Sequence, residues 1–438
     1  MYDAMRSNIH DVSEAYMCSS CGACSAICPV DAIGFKFTNI GRLYADVDNK
    51  KCINCGLCRK VCPSLDVQNI HSTFDDAYLG EIKDIFVGRC SDERLFHNAQ
   101  SGGACTATLK YLFTTGKIDA AIVCGMNAGN PPVVSARIIT ASDNLEKIQK
   151  SCYTPVELLS ILKKIKDFKS VAVVGLPCQI QGIESLMKMN RFNNVNYRLG
   201  LICDRTLSNT IMEVFGSLSH MSPDYFVVWK HKLLKINNLC FQYQAAPVSV
   251  SSAENKVRIY PNTYRFLLKD FFTAPRCWVC YDKLNTFADI VYGDPWLMSD
   301  VDEENGSSLV ITRTPKGKTI IDEMMKSDEL TLSPRPIEQL LKGQHIEHRK
   351  TQMAVYSRAI HSLPVTIDSY LYRQQTNRDV PSNEIKEASQ MLDRFRLREN
   401  MSKGQIIRLA KVHIYKHLFM AKLHIPGIIR RIKNIINR

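Results

Sequence analysis

The chain has 438 residues, of which 45% are hydrophobic and 23% are charged, a composition typical of a globular protein with two or three domains. It contains no run of eighteen apolar residues and its first residues are too polar for a signal peptide, so we expect a cytoplasmic protein without a transmembrane helix. The net charge is +13, but residues 401–438 hold nine basic residues and no acid, so the basic character belongs to a tail and does not indicate nucleic-acid binding. Eight of the seventeen cysteines lie in two tight runs, which indicates metal sites rather than disulfides.

The two cysteine runs, CSSCGACSAICPV at 18–30 and CINCGLCRKVCPS at 52–64, both fit the iron–sulfur pattern C-x2-C-x2-C-x3-C-P of bacterial ferredoxins. In that pattern three thiolates come from one short loop, and the fourth cysteine of each run binds the other cluster. Zinc is the alternative, but its sites more often use two separated CxxC pairs. We therefore expect a two-cluster 4Fe–4S ferredoxin-like domain over 11–70, with a strand at 41–48 before the second loop. One cluster is assigned to Cys18, Cys21, Cys24 and Cys62, and the other to Cys52, Cys55, Cys58 and Cys28.

Short apolar strands alternate with amphipathic segments between residues 85 and 205. The predicted strands are 85–88, 119–125, 170–175 and 197–203, and the predicted helices are 102–116, 155–168 and 179–189. This alternation predicts an α/β domain with a largely parallel sheet, whose ligands bind beyond the carboxyl ends of the strands.

Four further cysteines stand near predicted strand ends or in a CxxC pair. Cys178 follows one strand and begins a helix, Cys203 ends the next strand, and Cys277 and Cys280 form the pair. Each alone is expected to be a small buried residue, and the pair could instead be a redox disulfide. Together the four could hold a third cluster.

A serine–glycine motif is a candidate phosphate contact. In HNAQSGGACTA, residues 97–107, Ser101, Gly102 and Gly103 precede a helix whose backbone amides could hold a phosphate, although a plain helix cap explains them as well. The sequence has neither GxGxxG nor a P-loop.

The order of the motifs QSGGACTATLKYLFTTGKIDAAIV, VAVVGLPCQIQG, LGLICD, RCWVCYD, ADIVYGDPW and SSLVITRTPKG resembles the family of coenzyme F-420 hydrogenase/dehydrogenase beta subunits over about 85–320. The resemblance implies FAD and a further 4Fe–4S cluster held by Cys178, Cys203, Cys277 and Cys280. It also implies that Ser101, Gly102 and Gly103 lie against the FAD phosphate, and that Gly293, Asp294 and Trp296, in GDPW, lie near flavin or cluster. The alternative for GDPW is a β-turn with a core tryptophan. Cys152, Asp204 and Arg205 depart from residues that are frequent in the family.

The C-terminal region has two parts, a helical extension over 336–400 and a basic amphipathic tail over 401–438. Ile407, Ala410, Ile414, Leu418 and Ala421 share one face of a predicted helix in the tail. Such a face suits either an anionic membrane surface or docking on the protein's own body or a partner.

The fold class expected for the whole chain is α+β, with the ferredoxin-like domain, an α/β flavin-binding domain over 85–335 and the helical basic tail. The function implied by the residues and the resemblance is an oxidoreductase that passes electrons between 4Fe–4S clusters and FAD, and on to coenzyme F-420 or another two-electron acceptor. A redox partner protein or ferredoxin would be the electron donor. The alternatives are a reductase of surface-polysaccharide biosynthesis with the same cofactors, and a non-catalytic electron-transfer subunit.

Overall fold

A computed structural model describes residues 8–65, 70, 74–127, 132–219, 225–228, 232–236, 239–243, 247–251, 256–259, 262–302, 305–360 and 379–422. The N-terminal part is a small unit of three short helices and a hairpin. Its elements are α1 (His10–Glu14), α2 (Ala23–Ile27), β1 (Ile33–Phe37), β2 (Leu43–Val47) and α3 (Leu57–Lys60). The antiparallel hairpin β1–β2 lies between the two cysteine runs, so both cysteine loops are presented by one compact unit.

The centre of the molecule is an eight-stranded mixed sheet with the strand order β15-β3-β14-β13-β7-β6-β4-β5. Its strands are β3 (Asp84–Cys90), β4 (Ala120–Asn127), β5 (Val133–Ile139), β6 (Val171–Gly175), β7 (Val195–Leu201), β13 (Ile290–Gly293), β14 (Ser308–Thr312) and β15 (Leu330–Pro334). The strands β4, β6, β7 and β13 are parallel neighbours. Since β14 is antiparallel to both β13 and β3, the strand β3 also points the same way. Five strands therefore end at one edge of the sheet.

Alternate residues of these strands enter two separate cores because successive side chains of a strand point to opposite faces. One face is covered by α4 (Glu93–Asn98), α5 (Ala104–Thr114) and α10 (Pro315–Lys326). The other face is covered by α6 (Pro177–Lys188), by the 3-10 helix Leu158–Ile165 and by α2 of the N-terminal unit. The N-terminal unit thus shares a hydrophobic core with the sheet domain.

A second set of elements lies outside the large sheet. Between α7 (Thr210–Ser219) and α8 (Asn262–Phe272) the chain forms β8 (Tyr225–Val228), β9 (Lys232–Ile236), β10 (Leu239–Tyr243), β11 (Pro247–Ser251) and β12 (Lys256–Ile259), which pair as one two-stranded and one three-stranded antiparallel sheet. The remaining elements are a short 3-10 helix (Leu145–Ile148), α9 (Pro275–Trp278), α11 (Ile337–Gly343), α12 (Ile346–Ile360), α13 (Ser382–Glu399) and α14 (Lys403–Lys422).

The tail helix α14 docks on the chain's own body. Ile406, Ala410 and Ile414 are fully buried in a core that includes residues of α7 and α8. Lys411 donates to the Ser217 carbonyl, and Lys403 pairs with Glu213 at 2.9 Å. The described part of α14 therefore docks on the protein's own body, which is one of the two alternatives expected from the sequence. Residues 423–438 lie outside the described residues, and Leu418 and Ala421 lie where side chains are not described, so membrane contact stays a prediction for the end of the tail.

The alternation of strands and helices predicted for residues 85–205 is confirmed, with most boundaries within two residues. The strand predicted at 41–48 is β2. The segment 155–168, predicted as an α-helix, forms a 3-10 helix over Leu158–Ile165 instead. Its conformation is fixed by packing against α2 and α6, which local sequence does not reveal. In the part of the chain that the structure describes, no helix combines the length and apolar character needed to cross a bilayer.

Candidate iron–sulfur centres

The first group of thiols, here called the inner set, encloses a small cavity. Its four members line the same cavity, together with Gly22 and a few apolar side chains: Cys18, Cys21, Cys24 and Cys62. Gly22 has a φ of +94° and begins α2, so the loop can turn back toward the cavity. The structure brings together the four cysteines that the ferredoxin pattern pairs across its two runs.

Burial sets the protonation state of these thiols. It raises the pKa of Cys62 to about 12 and that of Cys21 to about 11. It also raises the pKa of Cys24 well above its ordinary value, and the neighbouring sulfurs add to this shift. Thiolates are therefore disfavoured here unless a positive group compensates them, and bound iron is such a group.

The second group, the outer set, consists of Cys28, Cys52, Cys55 and Cys58 and is more open to solvent. Cys55 is exposed, and Ile53 beside it is 60% exposed. Burial, reinforced by Cys55 and Cys52, raises the pKa of the Cys58 thiol to about 11. The Ala32 backbone N–H donates to the Cys28 sulfur at 3.3 Å. The outer set thus reaches the surface at Cys52 and Cys55, while its other two members, Cys28 and Cys58, are buried.

The third group, here called the third set, consists of Cys178, Cys203, Cys277 and Cys280. Two of its members follow parallel strands, and the other two lie in a loop that is distant in sequence. Cys178 is the second residue of α6, directly after β6, and Cys203 follows β7. Burial raises the pKa of Cys178 well above its ordinary value, and the neighbouring sulfurs of Cys21, Cys280, Cys203 and Cys277 raise it further. The Cys203 backbone N–H donates to the Lys283 carbonyl at 3.1 Å, which joins the end of β7 to the loop that carries the CxxC pair.

Two buried residues that sequence reasoning missed hold the third set in place. Asn285 donates from its amide to the carbonyl oxygens of Gly175 and Leu201, at 2.9 and 3.2 Å, and so joins the ends of β6 and β7. Asp282 is fully buried and accepts hydrogen bonds from Gln181 on α6 and from the Thr286 backbone. Both follow the CxxC pair within a few residues, so the loop that carries the pair is anchored to the strands that carry the other two thiols. In the sequence, Asp282 and Asn285 are visible as polar residues directly after the CxxC pair.

The contact between the N-terminal unit and the sheet domain brings the inner and third sets side by side. The Leu159 backbone N–H donates to the Cys21 carbonyl at 2.9 Å. Gly182 on α6 has no room for a side chain, because a Cβ there would lie 3.0 Å from that of Ala23 and 3.6 Å from the Cys21 sulfur. A Cβ on Gly22 would approach the Ser160 backbone nitrogen to 2.5 Å. Two glycines, one on each side, thus permit the close approach.

The serine–glycine motif, Ser101 to Gly103, lies at the same sheet edge, and its residues contact neighbouring parts of the sheet domain. Gly103 is the N-cap of α5 with a φ of +77°, and a Cβ on Gly102 would lie 2.5 Å from the carbonyl oxygen of Gly88. The Ser101 hydroxyl donates to the carbonyl of Ser307. Both glycines and the serine therefore have a structural role in joining α5 to the sheet, and their contact with a flavin phosphate stays a prediction.

The GDPW motif follows β13 at the same edge. Gly293 ends the strand, and a Cβ there would lie 2.6 Å from the side chain of Ile202. Trp296 is 39% exposed, so the alternative of a core tryptophan is wrong. The carbonyl of Asp294 accepts a hydrogen bond from Gln344 at 2.8 Å, which ties the motif to the turn between α11 and α12. Contact of the motif with flavin or cluster stays a prediction.

The residues present fit iron–sulfur clusters. Backbone N–H groups donate to cysteine sulfurs, for example Ser20 to Cys18 at 3.4 Å, and such hydrogen bonds are typical of cluster ligands. The Ser208 hydroxyl is buried, has no hydrogen-bond partner within the described part of the chain, and lines a cavity together with Cys18 and Cys277. Among the described residues, no group of three or more His, Cys, Asp or Glu is arranged to hold a single metal ion. The inner set is instead distributed around a cavity.

Three family models match the chain. Residues 85–163 match the N-terminal domain, and residues 168–337 the C-terminal domain, of the coenzyme F420 hydrogenase/dehydrogenase beta subunit, and residues 17–65 match the 4Fe-4S dicluster domain. The chain belongs to the family of coenzyme F420 hydrogenase/dehydrogenase beta subunits. The family resemblance and the iron–sulfur domain expected from the sequence are thereby confirmed.

Curated relatives share about a quarter of their residues with this family member. One subunit of the F(420)H(2) dehydrogenase of Methanosarcina mazei is 25% identical over 79% of this chain and 93% of its own. The coenzyme F420-dependent sulfite reductase of Methanocaldococcus jannaschii is 27% identical over 71% of this chain, which corresponds to 46% of that enzyme. A chain in the structure of the F420-reducing [NiFe] hydrogenase complex from Methanosarcina barkeri covers 65% of this chain, and 95% of its own length is matched, with a TM-score of 0.50 and 20% identity, a likeness of fold.

Proposed function

We propose that this protein is an iron–sulfur flavoprotein that passes electrons between 4Fe–4S clusters and FAD, and on to coenzyme F-420 or another two-electron acceptor. The inner, outer and third sets would each hold one cluster. The clusters supply one-electron chemistry, and a flavin joins that to two-electron chemistry. A redox partner protein or ferredoxin would deliver the electrons, since the relatives are named as subunits or as F420-dependent enzymes.

The observation that carries the proposal is the adjacency of the inner and third sets. Cys21 belongs to the N-terminal unit and Cys178 to the sheet domain, yet a Cβ on Gly182, one helical turn after Cys178 on α6, would lie 3.6 Å from the Cys21 sulfur. The packing of α2 on α6 across Gly182 maintains this adjacency. A ferredoxin-like unit that only stabilised the fold would have no need to place its cysteines beside a second cysteine set.

The carboxyl edge of the sheet is where we place the flavin. Ligands of open α/β sheets bind beyond the carboxyl ends of the strands. Ser101 to Gly103, which follow β3 through α4, lie at this edge, as does Gly293 with its exposed Trp296. The third set lies at the same edge, because β6 and β7 are parallel to β13. The chain would thus hold its third cluster and its flavin on neighbouring strand ends.

Anaerobic purification with quantification of iron, sulfide and flavin tests the proposal. Three cubane clusters require about twelve irons, and we expect one FAD per chain. Zinc in place of iron would refute the proposal. Eight irons without flavin would limit the function to the ferredoxin-like unit.

Turnover assays distinguish the acceptors. Oxidation of reduced coenzyme F-420 with an artificial electron acceptor is the result that we expect. Flavin reduction that stalls until a sugar nucleotide is added would favour a reductase of polysaccharide precursors. Flavin-free protein that still exchanges electrons would favour a non-catalytic electron-transfer subunit.

A further inference from the structure

A buried arginine lies between the inner and third sets. Arg276 directly precedes Cys277 and is 7% exposed. It lines the cavity that also contains Cys18 and Cys277. Cys18 belongs to the inner set and Cys277 to the third set, so one guanidinium lies beside cysteines of both sets.

The guanidinium is held by both parts of the chain. On the N-terminal side, its Nε donates to the Ser64 hydroxyl at 2.8 Å and its Nη2 to the Pro63 carbonyl at 3.5 Å, directly after Cys62. On the other side, its Nη1 donates to the Val279 carbonyl at 3.3 Å, inside the CxxC pair. The Ser64 hydroxyl in turn donates to the Met17 carbonyl. These bonds leave the guanidinium little freedom to turn away from the cysteines.

Among the residues that the structure describes, no carboxylate pairs with Arg276. In the described part of the chain, the acceptors of Arg276 are hydroxyl and carbonyl oxygens only. Arg42 lines the same cavity, but Glu399 pairs with it at 2.7 Å. Arg349 acts on the third set from another side, and it faces Asp204 at 3.7 Å. A buried charge without a counter-ion is costly, so the site is built for negative charge that the protein side chains do not supply.

We propose that Arg276 is a positioning residue that raises the reduction potentials of the inner and third clusters by placing one uncompensated positive charge between them. The proposal rests on the proposed function, because it assumes that both sets hold clusters. Four thiolates give each cluster a net negative charge, and reduction adds one electron without making or breaking a bond. A nearby positive charge favours the reduced state. The outer set, for which no contact with Arg276 is found among the described residues, serves as an internal reference.

Redox titration monitored by electron paramagnetic resonance tests the proposal in the anaerobically purified full chain. Arg276→Gln removes the charge and keeps polar groups near Ser64. At a fixed ambient potential, we expect the ratio of reduced to oxidised inner and third clusters to fall at least tenfold, which corresponds to about 59 mV for one electron. Arg276→Lys keeps the charge and should stay within about threefold of the wild type.

Two control variants separate charge from packing. Arg398→Gln removes an equally buried arginine, also 7% exposed, whose acceptors are the carbonyls of Arg394 and Phe271. It should lower stability without changing any cluster potential. Ser64→Ala removes one hydrogen bond of Arg276 but leaves the charge, so the potentials should again stay within about threefold of the wild type.

The outcomes separate the two proposals. If the wild type contains no third cluster, the proposed function fails. If all clusters are present and Arg276→Gln leaves the potentials unchanged, or shifts the outer cluster equally, only the role of Arg276 is refuted. Should Arg276→Gln fail to fold, Arg276→Lys carries the test, and a tenfold shift in that variant would overturn the proposal.

Discussion

The docking of the inner cysteine loop on the sheet domain depends on one glycine, and Gly22→Ala tests this. Gly22 has a φ of +94°, which side chains rarely adopt. A Cβ there would lie 2.5 Å from the Ser160 nitrogen and 2.9 Å from the Leu159 nitrogen. Both neighbours are backbone atoms, so they cannot turn aside as a flexible side chain would. The methyl group therefore has to displace the loop from the 3-10 helix.

The expected loss of stability has two parts. The left-handed conformation costs alanine about 1–2 kcal/mol. Insertion of a methyl group into a packed contact adds about 1–3 kcal/mol. Gly116→Ala isolates the first part, because Gly116 has a φ of +66° and a Cβ there would meet nothing within 4 Å. The loss of chain entropy in the unfolded state is the same for both variants, so Gly22→Ala should cost about 1–3 kcal/mol more than Gly116→Ala.

Urea unfolding of the anaerobically purified variants, followed by circular dichroism, measures this difference. Gly34→Ala is a second control, because Gly34 has no left-handed φ and its Cβ would also meet nothing within 4 Å. The Gly22 variant should also reduce the third cluster more slowly when electrons enter through the outer one. Equal midpoints for the Gly22 and Gly116 variants would show that the loop does not press on the 3-10 helix, and the reasoning about this interface would be wrong.

Three further predictions concern single side chains. Cys62→Ser should remove the inner cluster and lower the iron content from about twelve to about eight, while Cys90→Ser, a buried cysteine outside the three sets, should leave iron unchanged. Cys280→Ser should also lower iron to about eight but preserve both ferredoxin-type signals in paramagnetic resonance; loss of one of them would contradict the assignment. Asp289→Asn should cost about 3–5 kcal/mol in urea unfolding at pH 7, because it breaks a buried pair with Arg198. Although burial opposes ionisation, Arg198 is the main group that holds the pKa of Asp289 below its ordinary 3.8. The stabilisation by ionised Asp289 is therefore present above pH 3.8 and is lost as the pH falls through the lower pKa of the folded state. The free energies of unfolding of variant and wild type should converge in that pH range, and a constant difference would contradict this.

The sequence predicts well the features that depend on the spacing of residues within one short segment. The ferredoxin pattern needs short loops with cysteines at fixed intervals, so the two runs alone identify the N-terminal unit. The strands of the large sheet are short apolar runs bounded by polar or glycine residues, and they also follow from local composition. The association of Cys178 with Cys203 follows in the same way, since both stand directly after parallel strands.

The features that the sequence does not predict depend on contacts between distant segments. The residues of the 3-10 helix Leu158–Ile165 have a helical pattern, and only their packing against α2 and α6 decides the tighter conformation. The antiparallel strands between Tyr225 and Ile259 are absent from the sequence-based prediction. The role of Asn285 becomes visible only when its amide is seen to join two strand ends. The motif GDPW does not reveal whether another element covers Trp296, so the sequence alone allows either a buried or an exposed side chain.

The three cysteine sets differ in exposure, which has a consequence for where electrons can enter. Cys55 of the outer set is exposed, Cys18, Cys21 and Cys24 of the inner set are buried, and the third set is half-buried. Among the described residues of the three sets, Cys55 is the one exposed thiol, so under the proposed function a protein partner would exchange single electrons at the outer set. The third set lies at the sheet edge that also carries Trp296, so a small two-electron acceptor would exchange at that end. If Arg276 raises the reduction potentials of the inner and third clusters above that of the outer cluster, electrons that enter at the outer cluster pass to clusters of higher potential, toward the sheet edge.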